Sequence, residues 1–375
     1  MQLTLNEQQT LLQQSAAGLF RERAKVGRIR GLRDTCDPIG FSRELWTDMA
    51  QLGWVGLCLP EAHEGLGLGL SDLCIVLEEA GRQLAPEPWL STILLGAQAL
   101  MLGGDEAQQA RWLPSIARGE ALLSLAYEEA TNRVDLGRVS TSAVRTSSGI
   151  RLNGEKRQVF DGHVADAWLV LARVDVGHSL FLVERGQQGV SVQRQTRLDG
   201  RNAAIVRFDE VQLAPHALVG QGGGALPLVS QVLDRAIVGV CAEMLGSATQ
   251  AFEDTLDYLK TRKQFDVTLG SFQALSHRAA RLYIELALAR SSVAAAASCA
   301  DHGTPEVLAK LASLAKARCS DAFVHVANEA VQMHGGIGVT DDFHIGFYFK
   351  RARAADVLFG DAIHHQRRWA GLSGY

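Results

Sequence analysis

Two stretches in the last third of the chain carry residues suited to a phosphate-bearing ligand, and two carboxylates nearby could do proton chemistry. In TRKQFDVTLGSFQALSH (261–277), Arg262 is followed by an aromatic, Phe265, and then by Phe272-Gln273. A guanidinium presents forked donors that match phosphate oxygens, and a glutamine pairs a donor with an acceptor as an adenine edge does. In QMHGGIGVTDDFHIGFYFKRARAADVLFGD (332–361), the pair Gly335-Gly336 ends a long helical pattern. Glycine closes helices because it tolerates the left-handed conformation. Its bare backbone also lets a bulky phosphate or ribityl chain approach closely. Taken alone, an arginine such as Arg262 is more often a solvated helix-end charge, and the glycine pair reads equally as a plain helix stop. Glu243 lies within the apolar run VCAEMLG, where a carboxylate is costly unless paired or functional. Asp361 closes LFGD.

The elements that must position these groups fall into three regions. Residues 1–120 read as helical. NEQQTLLQQSAAGLFRERA and SRELWTDMAQLGWVGL repeat apolar residues near a 3.6 period, with Ser42 as a cap for the second, and Ser71 caps the helix after the loop LPEAHEGLGLGL. From 121 to 220 the period becomes two, in short β-rich runs divided by Gly, Asn and Asp; SSG and NGEK read as hairpin turns. No helix-length pattern separates these strands, so the sheet is expected to be mainly antiparallel, a small barrel or sandwich. Residues 225–375 return to the helical period in three runs of about thirty residues, which must bury their apolar stripes in an antiparallel four-helix bundle. The fold class is therefore α+β and multidomain: helical, β, helical.

Composition excludes several functions. The chain has 375 residues, a net charge of −4 and 47% hydrophobic residues, which gives ordinary globular material and no basic field for nucleic acid. No apolar run approaches the ~20 residues that span a bilayer, so no membrane insertion is expected. The first twenty residues lack a basic segment and a cleavable apolar block, so no signal peptide is expected. Six scattered cysteines without a CxxC pair suit a reducing cytoplasm. His334, His364 and His365 lack a companion ligand at helical spacing, which gives no metal site. GLGLGL lacks the strand and βαβ context of a dinucleotide fingerprint, and no nucleophile elbow is present.

Over essentially its full length the chain resembles the acyl-CoA dehydrogenase family of flavoproteins. The resemblance is carried by LPEAHEGLGLGLSDLCIVLEEAGR, by RKQFDVTLGSFQALSHRAARL and by AKARCSDAFVHVANEAVQMHGGIGVTDDFHIGFYFKRARA, together with the helical–β–helical order. It implies FAD held between subunits of a homotetramer or related assembly. Arg262 and Phe265 of one subunit, and Gln332, Gly335 and Gly336 of its neighbour, would hold pyrophosphate and adenosine, with Gln273 nearby. It also implies α,β-dehydrogenation of an acyl-CoA thioester, in which a carboxylate takes the α-proton and a hydride goes to flavin. Electrons then pass to an electron-transfer flavoprotein or similar acceptor.

Departures from the family pattern bear on that expectation. Many members carry their glutamate at a place which, counted from Gln332, is Phe359 here; branched-chain members carry it where this chain has Ala236. Neither side chain accepts a proton. Glu243 lies seven residues beyond Ala236, roughly 10 Å along a helix, and Asp361 two residues past Phe359; these two are the candidate bases. In the β region, LAYEEATNRVDLG (125–137) replaces the family's Thr-Glu-Pro-x-Ala-Gly-Ser-Asp loop, and Gln158 and Phe160 stand at the Trp and Thr places of a flavin-facing strand. Asp266 replaces a glycine. LFGDAIHHQRR resembles second subunits of bacterial heteromeric dehydrogenases that act on steroid or other bulky CoA thioesters. The expected role is such a subunit, completing a shared FAD site in a heterotetramer. The alternatives are a self-sufficient homo-oligomeric dehydrogenase using Glu243 or Asp361, and a non-catalytic binding or scaffold relative.

Overall fold

The computed structural model describes residues 4–132, 134–147 and 149–375. Helices precede and follow a central sheet, the expected α+β organisation. By packing, the chain forms two compact units: residues up to 35, 70–85 and 237–375 in one, 36–69 and 86–236 in the other.

The first unit is helical. It contains α1 (Glu7–Arg23), α2 (Gly27–Asp34) and, after α3 (Arg43–Gln51) of the other unit, α4 (Leu70–Arg82). Asn6 opens α1 with a capping box: its Oδ1 accepts from Gln9 N at 2.8 Å and Gln9 Oε1 accepts from Asn6 N at 3.2 Å. Ser71 does not cap α4. The helix starts one residue earlier, and the Asp301 carboxylate accepts from Leu70 N (2.7 Å) and Ser71 N (3.1 Å). A carboxylate distant in sequence thus satisfies two orphan donors that a local hydroxyl was expected to meet.

In the second unit α3 begins at Ser42 as expected, with Ser42 Oγ accepting from Leu45 N at 3.1 Å. A nine-residue π-helical segment, Trp89–Ala97, leads into α5 (Gln98–Gly103) and then α6 (Glu106–Ala117). The sheet follows: β1 (Leu123–Ala126), β2 (Ser142–Thr146), β3 (Gly149–Phe160), β4 (Ala167–Arg173), β5 (His178–Glu184), β6 (Val190–Gln195), β7 (Ala203–Leu213) and β8 (Leu218–Val219). The strand order is β6-β7-β3-β2-β4-β5-β8, with β1 added to β4. Pairing is antiparallel except for β1 with β4 and a single β2–β4 pair. β2 and β3 pair antiparallel up to Thr146 and Gly149; Ser148 of the expected SSG turn lies outside the described residues. NGEK is not a turn: it runs inside β3, whose register against β7 shifts between Leu152 and Gly154. Gly154 has φ +148°, and a Cβ there would lie 2.5 Å from Thr141 Oγ1, so this glycine serves a bulge. Leu152, Trp168, Phe181, Val206 and Phe208 form the core against which this sheet packs.

The long helices are α7 (Ala225–Thr261), α8 (Gln273–His302) and α9 (Pro305–His334), followed by α10 (Ile345–Val357) and α11 (Ala362–Leu372). A small hairpin, β9 (Lys263–Gln264) and β10 (Val267–Thr268), joins α7 to α8. α9 packs against α8, α10 and α11. α4 and α7 cross in backbone contact: a Cβ at Gly81 would lie 2.1 Å from Glu243 O, and one at Gly246 1.9 Å from Glu78 O. By length and composition α7 and α8 match bilayer-spanning helices, contrary to the expectation that no run comes close. More than half of the apolar window of α7 is buried inside the protein. The long apolar stripe there serves bundle packing.

Candidate functional site

The two glycine- and arginine-bearing stretches meet in one chain. Tyr258, in the last turn of α7, packs its ring on His334, the last residue of α9, with centroids 4.4 Å apart; Phe343 lies 4.9 Å beyond His334. His334 is buried, and its Nδ1 lies 2.7 Å from Ala330 O, so that nitrogen carries the proton. Arg262 N–H donates to Tyr258 O at 2.8 Å, and Gly335 N–H donates to Gln332 O. One aromatic contact therefore sets both stretches.

Beyond it the backbone is shaped for exposure. Phe265 and Asp266 occupy the hairpin tip at φ +53° and +64°. Positive φ at both central residues is the type I′ requirement, and Asp is among the few side chains that tolerate it, which accounts for Asp266 in place of a glycine. Phe265 is 87% exposed. Arg262 is exposed and makes no ion pair among the described residues, and Gln273 is the exposed first residue of α8. Gln332 is exposed as well. Gly335 closes α9 at φ +66°, and a Cβ at either Gly335 or Gly336 would meet no atom within 4 Å. The result is a set of exposed groups: a cation, an aromatic, two amide side chains and a bare glycine backbone. It fits the phosphate and adenosine end of a dinucleotide. The Tyr258–His334 contact brings together, within one chain, the ends of the two helices that carry these stretches.

The base positions look different. Phe359 is held at φ +60° in the turn between α10 and α11, followed by Gly360 at φ +108°. Lys316 of α9, fully buried, donates to Ser320 Oγ (2.9 Å), Asp356 O (2.9 Å) and Gly360 O (3.0 Å). Burial lowers its pKa, countered in part by Cys241 and Asp356. His365 Nε2 donates to Phe359 O at 3.1 Å, and burial pushes its pKa down to about 3. Two carbonyls of the turn and one from the end of α10 are thus tied inward. Asp361 caps α11, accepting from His364 N at 2.8 Å. Glu243 is buried and paired with Arg351 of α10, at 3.0 Å from Nη2 and 3.2 Å from Nε.

In the sheet unit the acidic loop is also committed. Glu129 accepts from Ser140 N (2.7 Å), Thr141 N (3.0 Å) and the Lys156 ammonium (2.7 Å), itself fully buried. Burial opposes ionisation of Glu129, but Lys156 and Thr141 outweigh it and hold its pKa near 2. Burial outweighs Glu129 at Lys156 and lowers that pKa to about 8. This pair staples the loop to β3.

Sequence reasoning did not single out Lys316, Arg351 or Lys156. For Lys316 a signal existed: it shares the helical face of Ala312, Ala315, Cys319 and Phe323, all buried.

Three family models match consecutive stretches: the N-terminal domain of acyl-CoA dehydrogenase over 6–120, its middle domain over 124–212 and its C-terminal domain over 224–367. The chain belongs to the acyl-CoA dehydrogenase family, a family of FAD-dependent oxidoreductases. Among its relatives, acyl-CoA dehydrogenase FadE27 of Mycobacterium tuberculosis is 31% identical over 88% of this chain and 87% of that one. The 3-(aryl)acrylate reductase of Clostridium sporogenes is 29% identical over 85% and 87%. Among solved structures, a variant of the Tcur3481-Tcur3483 steroid ACAD matches with a TM-score of 0.88 at 33% identity, covering 99% and 98%. The ChsE4-ChsE5 complex from Mycobacterium tuberculosis matches at 0.90 with 28% identity over the whole of both chains.

Proposed function

We propose that this chain is one subunit of a hetero-oligomeric acyl-CoA dehydrogenase. It presents Arg262, Phe265, Gln273, Gln332, Gly335 and Gly336 to an FAD whose ring is held by a different subunit, and that subunit supplies the base. The substrate is a bulky, steroid-type CoA thioester, and electrons leave to an electron-transfer flavoprotein. When bound, the flavin supplies the hydride acceptor for α,β-dehydrogenation. This chain's part is to bind and orient the dinucleotide end.

The observation that carries this reading is the inert turn at Phe359, tied inward by Lys316 and His365 where the family places its carboxylate. The other candidate bases are engaged, Glu243 with Arg351 and Asp361 at the head of α11. Similarity to two solved structures whose names give paired subunits supports the same conclusion. A cytoplasmic setting suits six cysteines that form no disulfide.

The test is expression of the chain alone and together with any acyl-CoA dehydrogenase subunit that its genomic neighbourhood encodes. Alone, the chain should be nearly colourless and poorly assembled; together, the two should co-purify as a yellow complex that reduces an artificial acceptor with acyl-CoA. A lone chain that holds one FAD per polypeptide and turns over acyl-CoA would overturn the proposal.

A further inference from the structure

The sheet unit holds a second disagreement with the flavin the family carries, and here a single side chain is responsible. Gln158 and Phe160, at the end of β3, stand where family members present an aromatic and a hydroxyl to the flavin. In this chain both face Arg197, from the 196–202 loop between β6 and β7. The Arg197 guanidinium lies 5.3 Å from the centroid of Phe160, within cation–π range. Its Nη1 donates to Gln158 Oε1. Its Nε lies 3.4 Å from Asp199 Oδ1.

The cluster is built to stay. The Asp199 side chain is fully buried and that of Arg197 only 13% exposed, so withdrawing the arginine would break an ion pair with a buried carboxylate. Gln158 is fixed as well: its N–H donates to Gln195 Oε1 at 3.1 Å, and its φ is +51° at a register shift between Lys156 and Val159. A flavin ring needs a flat, open face and donors aimed at its carbonyl and nitrogen edge. This face is covered by a planar cation whose Nη1 and Nε are already spent on Gln158 and Asp199.

Resting on the reading that FAD is shared between unlike subunits, we infer that Arg197 closes this chain's own flavin-ring site. Every flavin of the assembly is then seated on the partner's sheet, and this chain adds only the dinucleotide end.

The test is flavin stoichiometry in the complex co-purified with the neighbour-encoded subunit, from the absorbance of FAD released by denaturation against total protein. Wild type should carry one FAD per two chains; one FAD per chain overturns the inference. Failure of any complex to form in size-exclusion chromatography would instead sink the shared-site reading, so the two failures are distinct. The variant Arg197→Ala with Asp199→Asn removes the cation together with the charge of the carboxylate it pairs with. In a complex that melts as wild type does, it should raise the FAD content up to twofold when FAD is supplied. An unchanged content in that folded variant would overturn the role of Arg197. Should the double variant fail to fold, Arg197→Lys keeps the ion pair but loses the planar cover, and it should raise the flavin content part-way; no rise would overturn the assignment.

Discussion

Gly336→Leu separates ligand binding from folding. A Cβ at Gly336 meets no atom within 4 Å, so a side chain there projects into open space. Its effect on stability should stay within about 0.5 kcal/mol, as for surface changes generally. If the bare backbone of Gly335-Gly336 admits a phosphate, the added bulk removes that approach. Losing one hydrogen bond to a charged group costs about 1.5–3 kcal/mol, or roughly 10- to 150-fold in Kd. The contrast is Gly246→Ala, where the new Cβ would lie 1.9 Å from Glu78 O. That change must spread α4 from α7 and should destabilise by about 1–3 kcal/mol. The assay is FAD titration of the flavin-stripped complex followed by flavin fluorescence, beside thermal unfolding of each variant. Unchanged FAD affinity in Gly336→Leu, or a melting loss as large as that of Gly246→Ala, would refute the reasoning.

Glu243→Gln and Asp361→Asn should leave turnover per folded complex within about twofold, while Glu243→Gln lowers stability by about 1–3 kcal/mol because buried Arg351 loses its charged partner; steady-state kinetics with acyl-CoA decide this. Lys156→Met strands the buried Glu129 carboxylate and should cost about 3–5 kcal/mol in chemical unfolding, whereas Lys156→Met with Glu129→Leu should recover most of it. Burial holds His365 near a pKa of about 3, below the ordinary histidine value, so between the two values the unfolded chain binds more protons. Stability contributed by neutral His365 should therefore be complete above about pH 6.5 and decline as pH falls toward 3. Urea midpoints across pH 5–8 should show this slope, and His365→Gln should flatten part of it.

Much of the architecture is encoded locally. The change from a 3.6-residue to a two-residue period and back marks the helical, sheet and helical segments, because that period records which side of an element faces the core. Ser42 caps α3 as its hydroxyl and position dictate. Ser71 and NGEK mislead for one reason: a distant group supplies what the local motif offers. Asp301 takes the cap, and pairing with β7 draws Asn153–Lys156 into a strand.

Residue types alone determined that Phe359 and Ala236 cannot act as bases, because that is a property of single side chains. Tertiary structure decided what the remaining groups are free to do. The Tyr258–His334 contact joins the end of α7 to the end of α9. Arg351 engages Glu243, Lys156 engages Glu129, and Arg197 covers Phe160. A buried charge is defined by its partner, and each of these partners lies far along the chain from, or outside any motif with, the group it binds.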